Sequence, residues 1–155
     1  MNMIEVVLAM MILTVAIGFV GWVIAGRRAA AAERRQRPAR LRDAELVFVE
    51  RQFRSLGRWP VIARVDRVYR KPSGILVLVE LKTRASPVVT RSDVIQLSAQ
   101  RMALDDELHA TVADEAYVLI PRGHRGTSLI PPPVNLMARE EVEDLMRRRD
   151  ALQRG

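Results

Sequence analysis

The chain contains no cysteine. That absence excludes disulfides, cysteine-held iron–sulfur clusters and cysteine-ligated zinc, and it fits a reducing compartment. Histidine is scarce as well. Only His109 and His124 are present, which rules out a histidine-rich metal centre. His124, between Gly123 and Arg125, reads as an exposed loop residue, and His109 as a residue favoured near a helix end. A Gly-rich phosphate loop with Lys-Ser/Thr, a Gly-x-Ser-x-Gly elbow and a dinucleotide fingerprint are all missing. Lysine is rare in an otherwise basic chain: of 25 Lys plus Arg residues, only Lys71 and Lys82 are lysines. Charge itself is absent from the N-terminal 26 residues except for Glu5. The remainder therefore carries all 25 basic and 17 of the 18 acidic residues, a net charge of +8, and a basic surface favours polyanions, either nucleic acid or an anionic membrane.

The uncharged N-terminal run is VVLAMMILTVAIGFVGWVIA, residues 6–25. As a helix it spans a hydrocarbon core of roughly 30 Å, with Trp22 near one end, where an interfacial indole is expected. We assign residues 4–26 as a transmembrane helix. Arg27, Arg28, Arg34, Arg35, Arg37, Arg40 and Arg42 follow in a basic juxtamembrane linker, 27–42, whose helix Pro38 disturbs and whose arginines suit anionic lipid. The positive-inside rule places the remainder, 43–155, in the cytoplasm as the domain of a single-pass membrane protein. Met3-Ile4-Glu5-Val6-Val7-Leu8-Ala9 also resembles the start of a type IV pilin-like segment, although the basic leader ending in glycine is missing. That resemblance implies an envelope protein with its domain on the other side.

In the remainder, Asp43 caps an expected helix over 44–56, with Leu46, Val49, Phe53 and Leu56 on one face and Val47 and Phe48 off it. Trp59 to Tyr69 reads as one bent strand or two short ones, interrupted near Arg64, with Pro60 at its entrance. Ile75 to Leu81 is an apolar strand covered on both faces. Ser92 or Asp93 caps a helix over 93–108 that buries Val94, Leu97, Ala103, Leu104 and Leu108. Ala116 to Ile120 is a further strand and 122–133 a loop. Arg139 to Gln153 is a charged helix with Val142, Leu145, Met146 and Leu152 apolar. The order predicts an α/β domain with a mixed sheet flanked by helices.

One cluster carries chemistry. Side chains alternate along a strand, so Glu80 and Lys82 share a face and Leu81 takes the other. A hairpin through Lys71-Pro72-Ser73-Gly74 brings Asp66 beside them. Two carboxylates suit Mg²⁺ or Mn²⁺ with retained waters. A neighbouring lysine orients the attacking water or neutralises a phosphoryl oxygen. A lysine at this position, in a chain that otherwise uses arginine, points to a need for its own chemistry, because the two cations are not interchangeable.

Asp66, the Val79-Glu80-Leu81-Lys82-Thr83-Arg84 segment and Asp93-Val94-Ile95-Gln96-Leu97 together resemble the PD-(D/E)xK nuclease superfamily, and its RecB-type exonuclease branch most closely. The resemblance covers roughly residues 43–121. It implies a restriction-endonuclease-like αβββαβ core, catalytic roles for Asp66, Glu80, Lys82 and Gln96, and a metal held by Asp66, Glu80 and the Leu81 carbonyl. Glu50, with Glu45 second, is the candidate further acid from the preceding helix. Arg84, Arg91, Gln100 and Arg101 are candidates for nucleic-acid contact. The RecB-type tyrosine four residues after the glutamine is replaced here by Gln100. The expected function is a membrane-anchored, metal-dependent hydrolase of DNA phosphodiester bonds, with RNA as the other substrate. The alternatives are an inactive nucleic-acid-binding or scaffold module of the same fold, and the pilin-like envelope protein.

Overall fold

The computed structural model describes residues 3–84, 86, 88–122, 127–129 and 132–154. The chain divides into two compact units, Met1–Arg37 and Pro38–Gly155. The first is a single helix, α1 (Met3–Gln36). Its Thr14–Gln36 stretch is long and apolar enough to cross a membrane. The helix ends two residues before Pro38, which has no amide hydrogen to continue it, and the Arg37 guanidinium closes back on the Glu33 carboxylate at 2.8 Å.

The second unit runs from a short 3₁₀ turn, Ala39–Leu41, through β1 (Glu45–Arg54), β2 (Ile62–Arg70), β3 (Leu76–Leu81), α2 (Arg91–Leu108), β4 (Glu115–Arg122), β5 (Thr127–Leu129) and β6 (Val134–Asn135) to α3 (Arg139–Arg154). The sheet order is β1-β2-β3-β4-β5, with β6 also pairing β4. β1/β2 and β2/β3 are antiparallel, while β3/β4 is parallel, with α2 as the crossover. Within this unit the order β1-β2-β3-α2-β4 gives a mixed sheet flanked by helices, consistent with a restriction-endonuclease-like fold, although the first helix of the expected αβββαβ order is replaced by a strand.

β3 explains why the domain has two cores. Leu76 to Glu80 are all buried, so both faces of the strand are covered. Leu76, Leu78, Val118 and Ile120 pack with Leu97 and Leu104 of α2. Val77, Val79, Tyr117 and Leu119 face the other way, onto Leu41 and Ala44. The buried position of Leu41 makes the end of the basic segment part of the folded unit. The β2–β3 hairpin forms through Lys71–Gly74 as expected. Gly74 adopts φ +85°, a conformation that favours glycine, and the Lys71 N–H donates to the Ile75 carbonyl at 2.9 Å.

Residues 44–56 are not a helix. They form β1, paired with β2 from Glu45↔Arg70 to Arg54↔Ile62. Val47, Phe48, Val49 and Phe53 are β-branched or aromatic side chains suited to a pleated surface. The supposed helical stripe is not a buried face, because Val49 and Leu56 are 56% and 71% exposed. β2 is continuous through Arg64. It nevertheless turns: Val65 and Val68, three apart, enter the same core, which strict alternation forbids. The α2 N-cap is Thr90, neither Ser92 nor Asp93. Its hydroxyl accepts from the Asp93 N–H while the Asp93 carboxylate accepts from the Thr90 N–H. Leu97, Ala103 and Leu104 are buried as expected, whereas Val94 and Leu108 are half-buried. α3 buries Val142 but leaves Leu152 exposed. The 122–133 segment contains β5, and His124 lies outside the described residues.

The capping box can be tested directly. Thr90→Ala removes a hydroxyl bonded to both the Asp93 amide and the Asp93 carboxylate. It should lower stability by about 1 kcal/mol, read as a shift of the urea midpoint with an unchanged slope.

Candidate active site

The site lies where β2 parts from β3. Their pairing runs from Arg70↔Leu76 to Arg67↔Val79 and stops there. The next residues on each strand are Asp66 and Glu80. Beyond the last pair, the Leu81 N–H donates to Asp66 Oδ2 at 2.7 Å instead of to a strand carbonyl. A side chain thus finishes the ladder, and Asp66 is fixed by the hydrogen bond that a backbone group must make somewhere.

Glu80 is 4% exposed. A carboxylate at that depth needs donors around it, and three side chains supply them. Lys82 Nζ donates to Oε1 at 2.8 Å and Gln96 Nε2 to the same oxygen at 2.6 Å. Gln100 Nε2 donates to Oε2 at 3.0 Å. Lys82 Nζ also donates to Gln96 Oε1 at 2.8 Å, closing a triangle of Glu80, Lys82 and Gln96. Gln96 and Gln100 are one turn apart on the same face of α2, so the helix presents both amides to a single carboxylate.

Behind this triangle stands Asp93, with its Oδ1 3.7 Å from Lys82 Nζ. Arg84 grips Asp93 through both guanidinium nitrogens, at 3.0 and 2.6 Å. That pairing holds the Asp93 carboxyl well below the usual carboxylate range. Asp66 behaves oppositely: burial pushes its carboxyl above the ordinary value against the Leu81 N–H, with the Glu80 and Glu50 charges raising it further and Lys82 opposing them.

The structure brings Asp66, Glu80, Lys82 and Gln96 together. Of the other candidates, Gln100 and Arg84 join this network through Glu80 and Asp93, while the rest form other contacts or none. Glu50 stands on β1 rather than on a helix, in a left-handed conformation at φ +47°, and its carboxylate pairs with Arg64 at 2.7 Å on the surface. Glu45 pairs at 3.7 Å with Arg70. Gln100, expected to meet nucleic acid, is 2% exposed and gives its amide to Glu80 and to the Arg64 carbonyl at 2.8 Å. Arg84 is committed to Asp93 and the Val88 carbonyl. Arg101 pairs with Asp114 at 2.8 Å. Arg91 is exposed at the first turn of α2. The sequence reading missed Asp93 as a neighbour of Lys82, although its spacing of three from Gln96 puts both on one helical face.

As a donor set, Asp66 and Glu80 with the Leu81 carbonyl offer only hard oxygens. Asp66 spends one oxygen on the Leu81 amide, and each carboxylate oxygen accepts about two bonds, so acceptor capacity is left on both carboxylates. Among the described residues, no group of three or more His, Cys, Asp and Glu is placed to hold a metal ion. Two carboxylates leave room for retained waters, a donor set of the chemistry that hard divalent cations take.

The raised Asp66 carboxyl gives a signed prediction. Its folded form keeps a proton at pH values where the unfolded chain has lost it, so the Asp66 contribution to stability falls as pH rises through the folded pKa. Asp66→Asn keeps an oxygen for the Leu81 N–H and removes the buried charge. In metal-free protein it should raise stability near pH 7.5 by about 0.5–2 kcal/mol, the range of single stabilising changes. The gain should shrink as pH falls towards 4. Thermal melts across that range check both the sign and the trend.

A family model of the PD-(D/E)XK nuclease superfamily matches residues 5–154. Among solved structures, the crystal structure of SSO0001 is similar at 11% sequence identity and a TM-score of 0.47, over 94% of this chain and 65% of that one. This chain thus spans less than two thirds of that protein's length. No curated protein matches. With its length covered almost end to end by the family model, the chain belongs to the PD-(D/E)XK nuclease superfamily.

Proposed function

We propose that this protein is a metal-dependent nuclease of the RecB-type branch that hydrolyses DNA phosphodiester bonds, held at the membrane by α1 with its domain on the cytoplasmic side. The observation that carries the reading is the Lys82 ammonium fixed by Glu80 and Gln96, at 2.8 Å from each, next to Asp66. Asp66, Glu80 and the Leu81 carbonyl would hold Mg²⁺ or Mn²⁺. Bound there, the ion supplies charge neutralisation at phosphorus and activation of water.

The chain's own residues do the rest. An ammonium has three donors. Two of those on Lys82 are committed to Glu80 and Gln96, which leaves the third for the attacking water or a non-bridging phosphoryl oxygen. Gln96 keeps Lys82 from swinging away and Gln100 keeps Glu80 from rotating, so the polar groups are oriented before substrate arrives. Asp93, locked by Arg84, adds a fixed negative charge behind the ammonium. In the net reaction, water oxygen bonds to phosphorus, the bond to the leaving oxygen breaks, and that oxygen takes up a proton.

A second reading, an inactive nucleic-acid-binding module, draws on the same geometry. Glu80 already meets Lys82, Gln96 and Gln100, and Gln100 stands where the RecB-type pattern has tyrosine. Cleavage decides between the two. The purified protein should cut single- or double-stranded DNA only with Mg²⁺ or Mn²⁺, and Asp66→Ala and Lys82→Ala should each lower the rate by about 100-fold or more. Unchanged rates in both variants would remove this site from the chemistry. DNA binding by wild-type protein without turnover would establish the module instead, and preference for RNA would correct the substrate.

Membrane anchoring rests on the length and composition of α1 and on the arginines that follow it. Protease added to intact spheroplasts should leave residues 38–155 uncut, whereas lysis should expose them. Digestion from outside would favour the pilin-like envelope reading.

A further inference from the structure

A groove separate from this site lies between the entry to β2 and the C-terminal half of α3. Trp59, Pro60 and Ile62 line one wall and Met146, Arg149 and Asp150 the other, around a volume of about 430 Å³. The first wall is pinned. Ser55, 1% exposed, accepts the Val61 N–H on its hydroxyl at 2.8 Å, donates that hydroxyl to the Trp59 carbonyl at 3.3 Å, and gives its own N–H to the Val61 carbonyl at 2.8 Å. The Leu56 N–H is held by Asp106 at 3.1 Å. The loop that carries Trp59 is therefore closed on itself and tied to α2. The second wall stands open because α3 is anchored at its start, by buried Val142 and by Arg139 on Asp105 and Asp106.

The charges around the groove point one way. Arg58 places its guanidinium 5.7 Å from the Trp59 ring centroid. Arg149 on the opposite wall has no ion-pair partner among the described residues. Asp150, the single acid in the lining, is already matched by Arg154 at 2.8 Å. A half-buried indole flanked by unpaired cations offers a stacking surface for a flat ring and charge for a polyanion. Only an unpaired strand presents base faces, since a duplex keeps them stacked inside.

We propose that this groove binds single-stranded nucleic acid, with one base stacked on Trp59 and backbone phosphates met by Arg58 and Arg149. The proposal rests on the nuclease reading and narrows its substrate to a strand with an unpaired portion. Ile62 lies four residues before Asp66 on β2, about 13 Å along the strand, so one strand of nucleic acid can span groove and site.

The chain has two tryptophans, so Trp22→Phe leaves Trp59 as the sole reporter in full-length protein held in detergent micelles. The titrations omit divalent ions, so nothing is cut. A short oligothymidylate should quench Trp59 emission. Trp59→Ala should weaken its binding about 5- to 150-fold, the loss of one base–aromatic stack. Trp59→Phe should retain most of the affinity, and binding of a blunt duplex should be insensitive to both changes. Oligothymidylate binding, followed by anisotropy, with no change in Trp59 emission would overturn the proposal. So would equal quenching by polyphosphate, which has no bases, or unchanged affinity in Trp59→Ala. No readout involves turnover: quenching without cleavage by the wild-type protein would fault the nuclease reading alone, and cleavage without quenching would fault the groove alone.

Discussion

The buried Glu80 carboxylate is the constraint around which this domain is arranged. Its backbone is embedded in β3, a strand covered on both faces, so the side chain cannot escape to water. An isolated ionised carboxylate at that depth costs several kcal/mol, and three donors from Lys82, Gln96 and Gln100 offset it. Two of the three come from α2. The crossover helix is therefore held to the sheet by polar bonds to Glu80 as well as by Leu97 and Leu104. The network that orients the site also fixes the register of α2 above β3.

Asp66 depends on the same arrangement from the other side. Val65 and Val68 of β2 enter one core, and the pairing of β2 with β3 ends at Arg67. The orphaned Leu81 amide then finds the Asp66 carboxylate. The geometry that ends the ladder also delivers the second acid beside the first. Burial is the main reason its carboxyl is raised; the Leu81 N–H opposes that, the neighbouring Glu80 charge adds to it and Lys82 counters it.

Much of this was legible because it followed from short-range rules. The nearly continuous apolar run at 75–81, the glycine-ended turn before it and the parity of Glu80 and Lys82 are local properties, and each survives in the structure. Residues 44–56 were misread because apolar spacings of three and four arose by chance in a strand whose Val49 is exposed. Two non-helical signals, Val47 and Phe48 off the stripe, were present. The decisive fact was pairing with β2, a long-range contact that periodicity does not encode. The role of Gln100 was hidden for a related reason. Its spacing from Gln96 gave the face, but not that this face points inward to Glu80.

The residue choice at 82 and 84 closes the physical account. Both lie just past β3, two apart, and both meet Asp93, yet one is lysine in a chain that otherwise uses arginine. Arg84 makes a planar two-pronged contact, the geometry a guanidinium favours. Lys82 makes a different one: a single nitrogen 2.8 Å from both Glu80 Oε1 and Gln96 Oε1, with donor capacity to spare. A guanidinium spreads its donors over a rigid fork and cannot bring one nitrogen to that point without displacing Gln96 from Glu80. The other lysine, Lys71, sits at the hairpin turn, with only a 3.9 Å contact to Glu115, a place where either cation serves. The lysine at 82 is thus the one that arginine cannot replace, because the triangle it completes is sized for a point charge.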